Sequence, residues 1–210
     1  MKTFFVFFLS FLQFSCNRCF AQNAEQPNFF LAQYFHTQYD SEKSYTNNKD
    51  SIQITRIEVW ITDTANLNTL SYCIAFKDIG EPKPINALLA NQKNIQLPDN
   101  SSNKLYKTLT SDSSFRLNSK VINAITSVPL SLQKKTDFKI DYFRKLSPDE
   151  FVLKPKEGYI SLLNPITPKT IVAVAYQYSY NGKVYQVGEF EEQLPISYKN
   201  EKLIFLKLAK

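Results

Sequence analysis

His36 is the sole histidine of the sequence, and it falls among polar neighbours on one side of an amphipathic segment. An imidazole there reads as a surface or interface residue, because acid–base work needs a substrate proton within hydrogen-bond reach and groups that orient the base. Of the three cysteines, Cys16 and Cys19 sit beside the N-terminal apolar run, which leaves Cys73 alone in the rest of the chain. One thiol and one imidazole are too few for a multi-histidine or thiolate metal site. No phosphate-cradling glycine loop and no GxSxG elbow is present. Carboxylates gather at Asp149-Glu150 and at Glu189, Glu191 and Glu192. A cation site or an acid/base pair would use such residues; the commoner reading is a solvated turn and a charged strand end, balanced by Lys183 and Lys199. Tyr176, Tyr178, Tyr180 and Tyr185 would make a stacking platform for sugars or bases if exposed together, and the core side of a sheet if buried. From this inventory the sequence predicts no enzyme, no cofactor and no bound metal.

These residues need elements to hold them. Asn28 can cap a helix start, and Leu31, Tyr34, Phe35, Gln38 and Tyr39 recur at helical spacing opposite Gln33, His36, Thr37 and Asp40. That pattern predicts one amphipathic helix of about three turns. Ser41 to Asp50 is polar and reads as a loop. From Ile52 the period changes to two: Ile57, Val59 and Ile61 alternate with Arg56, Glu58, Trp60 and Thr62. Ser71 to Lys77 makes a second strand, with Cys73, Ala75 and Lys77 on one side and Tyr72, Ile74 and Phe76 on the other. In the middle third, Ile85 to Ala90 reads as a helical turn, Leu97 to Asn103 as loop, Lys104 to Ser114 as weakly patterned, and Val121, Ile122 and Ile125 as a brief helix. Strands follow at Phe138 to Lys145, Phe151 to Leu153, Tyr159 to Leu163 and Thr170 to Tyr180. Asn181-Gly182 then joins that long strand to Lys183–Phe190, the strongest short-range hairpin signal, because both central residues of a type I′ turn need positive φ. The turn sets Tyr178 opposite Tyr185 and Tyr176 opposite Val187. Ala173 and Ala175 line the opposite face, where something packs closely. Leu203 to Leu208 forms a last strand.

The N-terminus decides the compartment. Met1-Lys2, an apolar run from Phe4 to Leu12, polar residues at Cys16 to Arg18, and small residues at Cys19 and Ala21 form a secretory signal peptide cut between Ala21 and Gln22. The run is shorter than the ~20 apolar residues of a membrane-spanning helix, and no later segment approaches that length. Lipid attachment at Cys16 is the competing layout, with Gln13 in place of the usual aliphatic residue. Cleavage removes Lys2 and Arg18, which brings the formal net charge from +6 to +4, too little to indicate nucleic acid as a partner. It leaves Cys73 without a cysteine to pair with, so the fold stands on packing alone. The expected organisation is a signal peptide at 1–21, a polar leader at 22–28 and one β domain at 29–210.

The stretch from Val172 through Tyr176, Tyr178, Asn181, Gly182, Tyr185, Gly188 and Glu189 to Phe190 resembles the hairpin of the SprA (Sov) family of outer-membrane translocons in gliding motility and type IX secretion. Arg144 to Pro148 with Gly158 to Leu162, Ile54 to Thr62, Phe29 to Tyr39 and Leu206 to Lys210 are similar to other segments of that family, in the same order. The resemblance implies a role in protein transport and an outer-membrane or cell-surface setting in a Gram-negative cell. Family members are very long chains that form a giant barrel, whereas about ten short elements cannot build a protein-conducting pore. The chain is therefore expected to be a fragment, one part of a split gene, or a stand-alone relative of one accessory segment, with an assembly role rather than transport activity.

The sequence thus predicts an exported, mainly β, sandwich-like domain with an N-terminal helix and a C-terminal Asn-Gly hairpin. It is expected in the periplasm or at the outer membrane, binding a protein partner such as a type IX component. Leu203, Ile204, Phe205, Leu206 and Leu208 are apolar on both faces of their strand. They are expected to leave a face or edge open for self-association or partner capture. The alternatives are a surface adhesin or glycan-binding module, a small eight-stranded outer-membrane barrel and, last, a hydrolase.

Overall fold

The computed structural model describes residues 27–40, 52–63, 70–91, 95–194 and 203–210. The signal segment with Ala21 and Gln22, most of the polar leader and the loop Ser41 to Asp50 lie outside these residues. Chain order begins with β1 (Asn28–Phe30) and α1 (Gln33–Asp40), then β2 (Gln53–Thr62) and β3 (Ser71–Phe76). A helical stretch follows, with α2 (Lys104–Ser111) and α3 (Asn118–Thr126). The chain then returns to strands: β4 (Phe138–Lys145), β5 (Phe151–Lys154), β6 (Tyr159–Leu162), β7 (Val172–Tyr180), β8 (Lys183–Val187) and β9 (Ile204–Leu208). The protein is mainly β, as its alternating segments require.

The main sheet is organised by β7. One of its edges pairs antiparallel with β2 from Gln53↔Ser179 to Ile61↔Val172. Its other edge is shared end to end, by β8 at Tyr176 to Tyr180 and by β9 at Ala173 and Val174. β9 runs parallel to β3, β3 pairs antiparallel with β4, and β4 meets the end of β2 at Trp60 to Thr62. Passing from β7 through β2, β4, β3 and β9 leads back to β7, so five strands close a ring. The small sheet, in the order β1-β6-β5, forms a second layer. Its Phe29, Ile160 and Leu162 join the same core as Ile54, Tyr176 and Tyr178 of the main sheet. The sandwich-like layering holds there, while the main sheet curls shut.

Alternation along each strand divides the apolar residues between two cores. Val174 and Tyr176 of β7, Ile74 and Phe76 of β3 and Phe205 beside them face Leu105 and Leu109 of α2, Val121 and Ile125 of α3, and the small sheet. Cys73, Ala75, Ala173, Ala175, Ile204 and Leu206 face the other way, with Trp60, Phe143 and Phe190. The helices and small sheet cover the outside of the ring, so the second set fills its interior, where small residues suit the narrow bore of so few strands. Ala173 and Ala175 are small for that reason.

The N-terminal helix is shorter than its periodicity predicts. Asn28, Phe29 and Phe30 are strand residues paired with Ser161, Ile160 and Tyr159, and Leu31 N–H donates to Gly158 O at 2.9 Å. Pairing with β6 buries Phe29 and Leu31, a gain that overrides the local capping tendency of Asn28. The helix begins at Gln33 and buries Phe35 against Gly158. Gly158 has φ +68°, and a Cβ there would stand 2.2 Å from the Phe35 ring, so this junction admits no side chain. In the middle third, Asn103 caps α2 by accepting Leu105 N–H at 2.9 Å.

Candidate functional site

The hairpin forms in the predicted register. Asn181 and Gly182 have φ of 49° and 72°, and Tyr178 and Tyr176 stand opposite Tyr185 and Val187. The Tyr178 and Tyr185 rings stack at 5.0 Å with an 11° interplanar angle. Tyr176 and Tyr178 are fully buried, Tyr178 Oη donates to Pro98 O at 2.6 Å, and Phe35 meets both rings edge-on. These two tyrosines are core and offer no stacking platform.

Beyond the turn, Gly188 exchanges hydrogen bonds with Asn100, whose Oδ1 accepts Gly188 N–H and whose Nδ2 donates to Gly188 O. This loop contact, together with Asn100 N–H to Gln186 O and Gln186 N–H to Asp99 Oδ1, covers much of the outer edge of β8. Glu189 follows, its side chain only 4% exposed. Its carboxylate accepts both Arg116 guanidinium nitrogens, the Tyr106 hydroxyl at 3.1 Å and Phe205 N–H at 3.1 Å. Arg116 also lies 4.3 Å over the Phe205 ring. Burial alone would lower the Arg116 pKa, but its hydrogen bonds and charge contact with Glu189 win and raise it. Burial, then the Glu189 charge, push the Tyr106 phenol upward. Asn100, Tyr106, Arg116, Gln186, Glu189, Gln193 and Leu194 border a cavity of about 470 Å³. The sequence reading of Glu189 as part of a solvated, lysine-balanced strand end is corrected here. Glu189 is buried, and its counter-charge comes from Arg116, 73 positions away.

Glu191 and Glu192 do lie at the surface, where Lys145 and Arg56 pair with them. Lys145 also reaches Glu58 at 3.4 Å, and Arg56 lies 3.7 Å over the Phe190 ring. Phe190 itself plugs the interior core beneath them. Glu150 takes a two-pronged bond from Arg144 at 2.7 and 2.9 Å and accepts Ser147 N–H at 2.9 Å. Those bonds, the arginine's foremost, lower its pKa.

The predicted interaction strand is the clearest correction. Leu203, Ile204, Phe205 and Leu206 are at most 2% exposed, and Leu208 is half-buried. Residues Ile204 to Lys207 pair with β3, and Lys207 and Leu208 pair with β7. Both faces are apolar because one fills the ring and the other meets the helices. A central strand of this kind has no edge to offer a partner.

A second buried charge centre lies at the end of β9, where Lys207 and Glu81 approach to 2.9 Å with side chains 6% exposed. Lys207 Nζ also donates to Lys77 O, and Glu81 Oε1 accepts Gln33 N–H at 3.0 Å, which ties α1 to the last strand. Beside this pair opens a groove of about 420 Å³. Phe30, His36, Lys77, Lys83, Ile85 and Leu208 are among the residues that line it. His36 is exposed, as predicted. It is 3.2 Å from Asp40 and edge-on to Phe30. Sequence reasoning missed this groove, because its walls come from both ends of the chain and from the loop after β3.

Among the described residues, no group of three His, Cys, Asp or Glu side chains is placed to hold a metal ion. No helix among them is long and apolar enough to cross a membrane. No family model matches the chain, and no curated protein matches it. The resemblance to the SprA family therefore rests on the motifs of the sequence alone.

Proposed function

We propose that this protein is an exported, non-catalytic binding module of the outer-membrane machinery for type IX secretion and gliding motility. Its part is to engage another protein of that assembly, not to form a pore. Export is supported by the signal-peptide layout of residues 1–21, and the assembly by the order of SprA-like motifs from Phe29 to Lys210.

The observation that carries partner binding is a braced apolar projection. Ile85 is 70% exposed and Leu88 65% exposed, two large aliphatic side chains three positions apart on one loop. The loop that presents them is fixed from inside the domain. The buried Asp78 carboxylate accepts Ile85 N–H at 3.0 Å and Asn86 N–H at 2.8 Å, and Asn103 Nδ2 donates to the carbonyls of Asp78 and Glu81. A rigid loop that holds aliphatic residues in water resembles a preorganised contact patch. The adhesin or glycan-binding alternative lacks such support, since Tyr176 and Tyr178 are interior.

The test is genetic. Deleting the gene from its host should impair release of type IX cargo and spreading on agar. A plasmid copy should restore both, and one carrying Ile85→Asp and Leu88→Asp should not. Normal secretion and spreading in the deletion strain would overturn the proposal.

A further inference from the structure

The groove beside the Glu81–Lys207 pair has a chemistry that narrows the partner, given the partner-binding reading above. Its floor and walls are partly apolar: Phe30, Leu208 and Ala209 are half-buried along it, and Ile85 projects at its rim. One wall is a sheet edge. Leu31 N–H turns toward Gly158 O, so by strand alternation the N–H and C=O of Phe30 turn away from β6. No described strand pairs with β1 on that side.

The charges at the groove do not cancel. Asp78 is occupied by two backbone N–H groups, and Glu81 by Lys207 and Gln33 N–H. His36 faces Asp40. Lys77 and Lys83, both exposed, have no carboxylate partner among the described residues. Three lysines (Lys77, Lys83, Lys207) against two carboxylates (Asp78, Glu81) leave a net +1 along the groove, with Lys77 and Lys83 as exposed cations at its rim over an apolar trough with a free strand edge.

We infer that this groove docks an extended, acidic segment of a protein partner. The segment adds as a short strand beside β1, lays an apolar side chain between Phe30 and Ile85, and sets carboxylates against Lys77 and Lys83. Strand addition supplies main-chain hydrogen bonds, the trough selects an apolar anchor, and the lysines set the sign of the flanking charge. A nucleic-acid strand would meet the same two lysines but has no use for the strand edge.

The experiment selects random linear peptides displayed on phage against the whole mature chain. One selected peptide is then synthesised with a fluorescein label for anisotropy titrations. Selected sequences should place Asp or Glu around a bulky aliphatic or aromatic residue. Binding of the synthetic peptide should weaken about tenfold in Lys77→Glu/Lys83→Glu, fall similarly in Ile85→Asp, and decline with added salt. All three positions are exposed, so the variants are expected to melt as the parent does. Failure to enrich any peptide, enrichment of basic or uncharged ones, or unchanged affinity in the lysine variant would each overturn the assignment. So would equal binding of a labelled single-stranded oligonucleotide. If the peptide work fails while gene deletion still impairs secretion, the groove is wrong and the assembly role stands. If deletion has no effect while acidic peptides bind at Lys77 and Lys83, the groove stands and the assembly role falls.

Discussion

Replacing Arg116 with methionine isolates the most heavily coordinated charge of the core. Glu189 has four donors, two of them from Arg116, and almost no access to water. Methionine keeps much of the side-chain volume but leaves a buried carboxylate held only by a phenol and one amide. Breaking one partner from a buried pair costs about 3–5 kcal/mol. The lost contact over Phe205 adds about 0.5–1 kcal/mol. That is a large share of the ~5–15 kcal/mol that holds a typical domain together. Adding Glu189→Gln removes the charge, so the double variant should recover about 2 kcal/mol over Arg116→Met at pH 7. Urea unfolding at pH 7, followed by the fluorescence of Trp60, the sole tryptophan and only 2% exposed, reads both costs. A cost below about 1 kcal/mol for Arg116→Met, or a strictly additive double variant, would refute the view of Glu189 as a buried carboxylate that depends on its guanidinium.

Other perturbations follow from the same packing. Ile204→Lys with Leu206→Lys should abolish folding, since both positions fill the ring interior; a soluble, cooperatively unfolding variant in circular dichroism would show that β9 is not core. Gly182→Val should cost about 1–3 kcal/mol from backbone strain alone, since nothing lies within 4 Å of its missing Cβ. Gly158→Ala should cost more, because strain is joined by a clash with Phe35, and the reverse order of thermal midpoints would contradict that packing. Cys73 is fully buried, and burial followed by the charges of Glu191 and Glu58 raises its thiol pKa. It should resist Ellman's reagent at pH 8 and react at the rate of global unfolding; rapid labelling of the folded protein would place it at the surface.

Local features were the legible ones. Asn181-Gly182 and the alternation on either side determine the register of β7 and β8, because turn type and side-chain period are both local properties. Cys73 and Ala75 opposite Ile74 and Phe76 were readable for the same reason. The pairing of Asn28 to Phe30 with β6 was not, since three residues carry too short a period to outweigh a capping signal. Arg116 gave no sign of its partnership with Glu189, which depends on a helical turn being folded across the end of β9. The place of β9 did leave a signal. Apolar residues on both faces of Leu203 to Leu208 mark a strand covered on both sides, more often a central one than an open one. The groove at Lys77 and Lys83 had no sequence signature, because a cavity is made by what neighbouring elements leave unfilled.

The position of β9 also sets an order of events. Until residues 203–208 arrive, β3 and the far end of β7 face a gap that no other described strand fills. A chain that emerges N-terminus first can form the hairpin early, since its contacts are local. It cannot shut the ring until β9 has emerged. The contacts made then join residues as far apart as Cys73 and Ile204, the long-range closure that slows folding most. Late closure makes the arrival of β9, not the formation of the hairpin, the moment at which the ring becomes a rigid body.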